Sequence, residues 1–190
     1  NFSRPIKRSI QTWIRTLTIN ESPIICVFSH NQYELFKAKF GRDAVELSLS
    51  SRNLGASQYP LPDTSDGFRL LFFGSIVQYK GLDLLIASLE RLRSKGVDNL
   101  FLTIAGKGDF WEECKPLIRT PGMYDIRVRF IDNSEIPDLF GTHHFLILPY
   151  RDATQSGPMM IALGYNLPII APAFGCFLDY GNVGADVLYN

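Results

Sequence analysis

The chain has 190 residues, enough for one full domain or for one domain and part of another. Nineteen basic and nineteen acidic residues cancel, so no global charge argues for a nucleic acid or a strongly acidic partner. Apolar residues at 46% suffice for a core, no apolar run approaches the roughly 18 residues of a membrane-spanning helix, and Cys26, Cys114 and Cys176 show neither pairing nor metal-ligand spacing, as expected of reduced thiols in the cytoplasm.

In chain order, Ile6, Ile10, Trp13, Ile14 and Leu17 form one helical stripe with Arg4, Lys7, Arg8 and Arg15 largely off it. "PIICVFSH" reads as a buried strand ending near Ser29, and "NQYELFKAKFG" as a helix opened by Asn31 and stopped by Gly41. "AVELSLS" alternates as a short strand. Residues 51–67 are polar and rich in Ser, Gly and Pro, and 56–67 reads as a linker between a first unit, 1–55, and a second, 68–190. No signal peptide is visible, and the chain starts mid-pattern and stops abruptly after a strand-like stretch, as expected of part of a longer protein.

After residue 67 a regular rhythm begins. "FRLLFFG" predicts a strand, and Leu82, Leu85, Ile86, Leu89 and Leu92 predict a helix ending by Gly96. "LFLTIAG", "IRVRFID", "HFLILPY" and "LPIIAP" predict further strands. Between them lie "DFWEECKPLIR" (interrupted at Pro116), "SEIPDLFG" (capped by Ser134) and "GPMMIALGY" as helices. Short apolar strands alternating with helices imply an α/β fold: a Rossmann-like parallel sheet covered by helices on both faces.

Ligands of such sheets bind beyond the carboxyl ends of the strands, and three stretches place unusual residues there. In "GSIVQYKG" (74–81), Gly74 admits a ligand close to the backbone and Lys80 brings a positive charge, or else is a solvated residue of the first helical turn. In "AGKGD" (105–109), Gly106 and Gly108 bracket a strand end, a pattern that also makes an ordinary turn. In "YRDATQSGPMM" (150–160), Thr154 or Ser156 can cap a helix whose first turn holds Pro158, with Gly157 leaving backbone N–H groups accessible. Such a helix start is an anion site or simply a capped helix. His143 and His144 read as a hydrogen-bonded strand-end pair rather than metal ligands, and His30 as a residue at a strand end.

The order and spacing of "LLFFGSIVQYKGLDLLIASLERL", "LFLTIAGKG", "VRFIDNSEIPDLFGTHHFLILPY" and "ATQSGPMMIALGYNLPIIAPAFG" resemble the C-terminal, nucleotide-sugar-binding domain of retaining glycosyltransferases of the GT-B fold (group 1, family 4-like). The similarity runs from about Phe68 to Asn190, while the first 50 or so residues resemble the end of the N-terminal, acceptor-binding domain. The resemblance implies sugar transfer with retention from a nucleotide-sugar to a glycan or lipid-linked acceptor in polysaccharide biosynthesis. It implies no cofactor, no metal and no nucleic acid. It implies an enzyme at work in the cytoplasm, with the Trp13 stripe either on the inner membrane face or packed within its own domain, and this chain alone inactive. It places the substrate on Gly74, Ser75 and Lys80, on Gly106 and Gly108, and on Thr154, Gln155, Ser156 and Gly157, and it names no catalytic residue. Three positions depart from the family: Ser75 stands where an arginine is common, and Ala153 and Ile161 where two glutamates are often found. Those departures leave open a catalytically degenerate subunit, or another nucleotide-binding module, as rival readings.

Overall fold

A computed structural model describes residues 16–47, 49–180 and 187–189; the stripe expected at Ile6, Ile10, Trp13 and Ile14 lies outside the described residues. The chain divides into two compact units, 1–48 and 49–190.

In the first unit, residues 16–21 are helical and β1 (Cys26–Val27) pairs in parallel with β2 (Val45–Glu46). Between them runs α1 (His30–Phe40), capped not by Asn31 but by Ser29, whose hydroxyl accepts from the Gln32 N–H. The helix ends where Gly41 turns left-handed at φ 63°.

Among the described residues the second unit holds six strands: β3 (Phe68–Phe73), β4 (Leu100–Gly106), β5 (Tyr124–Val128), β6 (Phe145–Ile147), β7 (Ile169–Pro172) and β8 (Val187–Tyr189). Every pairing is parallel, in the order β5-β4-β3-β6-β7-β8. The order reverses direction between β3 and β6, which makes their carboxyl ends the topological switch point of a doubly wound sheet.

Alternate strand residues face opposite sides, so each face gathers its own core. Leu70 and Phe72 of β3 pack with Leu85, Ile86 and Leu89 of α2 (Leu82–Arg93) and with Trp111 of α3 (Trp111–Cys114). Leu71 points the other way, toward Leu139 and Phe140 of α4 (Ile136–Gly141) and Met159 and Ala162 of α5 (Gly157–Gly164). The expected helices and parallel sheet on both faces are therefore present.

Three local expectations change. The helix expected over 109–119 with an interruption at Pro116 is shorter than that stretch: α3 gives way to a 3-10 turn at Lys115–Leu117, because Pro116 has no N–H with which to continue the ladder. The helix expected from Ser134 is capped by Asp132, whose carboxylate accepts from the Ser134 N–H while Glu135 reaches back to the Asp132 N–H. The segment expected as a linker belongs to the second unit, which begins at Leu49. It has no regular strand or α-helix, but it is fastened along its length. Arg52 N–H donates to the Met160 carbonyl at 3.0 Å, and Leu54 N–H to the Tyr165 hydroxyl at 3.0 Å. The Asp138 carboxylate accepts from Ser57 and Gln58, and the Pro62 carbonyl accepts from His144 Nε2 at 2.9 Å.

Candidate functional site

The strand β3 stops at Gly74, whose φ of 114° favours glycine. A 3-10 turn at Gln78–Lys80 follows, closed by left-handed Gly81. A Cβ at Gly81 would stand 1.9 Å from the Pro149 carbonyl oxygen, so only glycine lets this turn press onto the end of β6. Arg151 then locks it, donating to both oxygens of Asp83 at 2.6 and 2.8 Å and to the Gln78 carbonyl at 2.7 Å. The Arg151 guanidinium holds the Asp83 carboxyl below the usual carboxylate range.

This bracing turns Lys80 inward. Its residue is only 7% exposed, and its Nζ lies 5.4 Å from the Tyr150 ring centroid. A Cβ on Gly74 would come within 3.0 Å of that Nζ, so the glycine makes room for the amine. Among the described residues no carboxylate or acceptor is paired with it, and burial alone pushes its pKa down. Lys80 is not the solvated first-turn residue of the simpler sequence reading.

Across the same cavity begins α5. Ser156 is its N-cap, accepting from the Met159 N–H at 3.3 Å, and Pro158 occupies the first turn. A Cβ on Gly157 would meet nothing within 4 Å, so the helix start is open. The cavity of about 660 Å³ lies wholly within the second unit and includes Gly74, Ser75, Lys80, Thr154, Gln155 and Gly157 in its lining. A buried lysine and an open helix N-terminus on one cavity make a positive, partly enclosed pocket suited to an anion.

Seven of the nine positions singled out in the sequence thus share one cavity: the six just named and Ser156. Ser156 is 2% exposed, its hydroxyl taken up by the cap and standing 3.4 Å from the Tyr150 hydroxyl. Gly106 lines an adjoining cleft of about 240 Å³ that shares Gly74 and Ser75 and adds Lys107, Arg129 and Phe130. Gly108 lines neither of these cavities. The two glycines are explained by close packing: a Cβ would stand 1.8 Å from the Gly74 carbonyl at Gly106, and 2.0 Å from that of Ile76 at Gly108. Of the two positions where the family often has glutamate, Ile161 lines the cavity and Ala153 is buried in the core.

Arg52, Tyr150 and Asp152 also line this cavity; none of them is among the nine expected site residues, although Tyr150 and Asp152 lie in the stretch 150–160. Tyr150 was within reach, since it sits at a strand end, but Arg52 lies in a segment with no periodicity at all. In the adjoining cleft Phe130 is well exposed beneath Lys107, whose Nζ is 5.6 Å from its ring centroid. Arg129 donates to both Glu135 oxygens at 2.7 and 2.5 Å and holds that carboxyl at about 2.

The histidines lie elsewhere. His143 Nδ1 donates to the Leu139 carbonyl at 2.6 Å, and its Nε2 accepts from the Thr103 hydroxyl at 2.8 Å. His144 Nδ1 accepts from the Arg69 N–H at 2.9 Å. His30, in the first unit, faces Glu46 at 3.2 Å. Among the described residues no group of three His, Cys, Asp or Glu could hold a metal ion, and no helix is long and apolar enough to cross a membrane.

Residues 67–185 match the family described as "Glycosyl transferases group 1". Over 108 residues, 55% of this chain and 30% of the relative, the sequence is 28% identical to the GDP-mannose:glycolipid 4-beta-D-mannosyltransferase of Xanthomonas campestris pv. campestris. The fold is similar to that of sucrose-phosphate synthase from Thermosynechococcus elongatus, with a TM-score of 0.71 and 14% identity over 89% of this chain and 45% of that one. It is also similar to a mutant TarM of S. aureus solved with fondaparinux, alpha-GlcNAc-glycerol and UDP, with a TM-score of 0.71 and 16% identity over 91% of this chain and 35% of that one. The chain thus spans between 30% and 45% of the lengths of these proteins.

Proposed function

Since the chain belongs to the glycosyl transferases group 1 family, we propose that it carries the donor-binding half of an enzyme that moves a sugar from a nucleotide-sugar to an acceptor in glycan biosynthesis. The observation that carries this reading is Lys80, largely buried and without a hydrogen-bond or ion-pair partner among the described residues, on one cavity with an open helix N-terminus at the switch point of the sheet. Partial desolvation of an ammonium at a cavity wall, with no carboxylate beside it among the described residues, costs free energy that a bound anion would return. A departing nucleoside diphosphate gains negative charge as the glycosidic bond to it breaks. Lys80 and the Gly157 N–H at the start of α5 are fixed beforehand where that charge develops, which lowers the barrier without reorganisation.

In this reading the diphosphate lies in the larger cavity and the base extends into the adjoining cleft. There Phe130 offers a ring face and Lys107 and Arg129 a polar rim. Protein groups rather than a metal ion meet the charge of the leaving group. Thr154 and Gln155, both exposed on the cavity wall, are left for the sugar. Ser156 contributes through the helix start and not through its hydroxyl. A lipid-linked or other glycan acceptor, handled in the cytoplasm or at the inner membrane face, fits the name of the Xanthomonas relative, which acts on a glycolipid.

Retention of anomeric configuration is the outcome implied by the sequence resemblance. The name of that relative specifies a β-linked product, so the anomeric signals of donor and product, read by NMR, decide between retention and inversion. Ala153 and Ile161, standing where the family often has glutamates, favour a second reading in which the protein binds a nucleotide without transferring sugar.

The test is a thermal-shift screen of the full-length protein against UDP, GDP, ADP and their sugar conjugates. A ligand specific for the native state at about 100 times its Kd adds about 2.7 kcal/mol of stability. One nucleotide family should raise the melting temperature and its sugar conjugate should be consumed. No shift with any nucleotide would sink the donor-site reading; a shift without turnover would select the second reading.

A further inference from the structure

The cavity that holds Lys80 has a second cation on its wall, Arg52, which comes from the segment fastened along α5. Its backbone is fixed twice. The Arg52 N–H donates to the Met160 carbonyl at 3.0 Å, and a Cβ on Gly164 would stand 2.3 Å from the Arg52 carbonyl oxygen. Neighbouring Asn53 adds a bond from Nδ2 to the Gly164 carbonyl at 3.1 Å. The guanidinium itself is in an exposed residue, and among the described residues no carboxylate pairs with it. Backbone anchored and side chain uncommitted is a poor arrangement for stability and a good one for a ligand.

The charges on the wall favour the same conclusion. A diphosphate joining nucleoside and sugar carries a negative charge on each phosphate, and the leaving nucleoside diphosphate carries more. Lys80 supplies one positive charge, and the start of α5 acts as roughly half a charge. Asp152 on the same wall works against them. Without another cation one phosphate would remain unmatched in a partly enclosed site. We propose that Arg52 is the second phosphate-binding cation of the donor site, its planar fork closing on the non-bridging oxygens that Lys80 leaves unpaired. The inference rests on the reading of this cavity as a diphosphate site.

The experiment is calorimetric titration of the full-length wild type and of Arg52→Ala, Arg52→Lys and Lys80→Ala with the nucleoside diphosphate that binds best, and with the matching monophosphate. Arg52→Ala should weaken the diphosphate about 10- to 100-fold, the range for losing a charged hydrogen bond. The monophosphate should weaken less, and Arg52→Lys should fall between, keeping the charge but not the fork. The fall of affinity with added salt should be shallower in Arg52→Ala. Its melting temperature should stay near that of the wild type, since an exposed side chain is removed. Unchanged diphosphate affinity in Arg52→Ala, with a clear loss in Lys80→Ala, would overturn the role of Arg52 and leave the donor site standing. A wild type that binds no nucleotide, or a Lys80→Ala that binds as well as wild type, would overturn the donor site and this inference together.

Discussion

At the amino end of β6, His143 is 6% exposed and both ring nitrogens have partners: Leu139 on one side and Thr103 on the other. At the carboxyl end of neighbouring β3, Lys80 is 7% exposed and, among the described residues, its ammonium has no hydrogen-bond or ion-pair partner. Both are basic, both are buried, and burial lowers the pKa of both. The difference lies in what each faces. His143 is kept neutral by its burial, and one tautomer satisfies both ring nitrogens, so its polar atoms cost nothing further and do nothing further. Lys80 has only a ring face and a cavity before it, an arrangement that a folded protein keeps at a cost. A buried group satisfied on both sides marks structure, and a partly desolvated charge left open to a cavity marks a ligand site.

The sharpest way to break that contrast is to remove Lys80. In the full-length protein Lys80→Ala should cut kcat/KM about 10²- to 10³-fold, the usual loss when a preorganised charge is taken from a transition state, about 3–4 kcal/mol. Its melting temperature should hold or rise, because a buried ammonium without a partner is also removed. A loss of stability matching the loss of turnover would make Lys80 a structural residue like His143. Diphosphate affinity in the wild type should also fall as pH rises, starting below the ordinary lysine range, since burial lowers the Lys80 pKa and only the protonated form attracts the anion.

His143 should behave in the opposite manner, through stability alone. Its pKa is pushed down to about 4 from 6.5, so the unfolded chain takes up a proton that the folded one refuses. The stabilising contribution is therefore full above pH 6.5 and is lost as pH falls toward 4. Between pH 6.5 and about 5 the loss should reach about 2 kcal/mol. Urea denaturation across that window should show it, with a flatter dependence in His143→Gln. Parallel slopes in the two proteins would mean that His143 takes up its proton without unfolding.

The contrast also explains what the sequence could carry. β3 and β4 were legible because a strand covered on both faces is apolar throughout, and α2 because its stripe repeats at helical spacing. Lys80 was legible as a position but not as a buried one: its burial depends on Tyr150 and on Pro158, which approaches Gly74, and these lie about 70 residues away. The polar stretch 51–67 was not legible as a fixed segment for the same reason. It has no period, and its fastenings are a helix carbonyl, a tyrosine hydroxyl, the Asp138 carboxylate and a histidine ring far along the chain. Its polar composition is that of a flexible connection, and only tertiary partners make it fixed. Arg52 was hidden with it.

The same contrast recurs within one turn at the start of α5, where it can be tested at its smallest scale. Ser156 is buried and committed to its cap, while Gln155 beside it is exposed, lines the cavity and has no side-chain partner among the described residues. If partnered groups serve the fold and free ones the ligand, the two should fail differently. Ser156→Ala should cost about 1 kcal/mol of stability, the usual value of a helix cap, and weaken both donor and free diphosphate through a frayed helix start. Gln155→Ala should leave the melting temperature unchanged and spare free nucleoside diphosphate. It should weaken only the nucleotide-sugar, by about 1 kcal/mol, because an exposed amide forms its bond in exchange for one to water. That is roughly a fivefold change in Kd, within reach of calorimetry on the two ligands side by side. Equal weakening of both ligands by Gln155→Ala would put its amide on the phosphates, and a drop in melting temperature would put it with Ser156 among the residues that hold the turn.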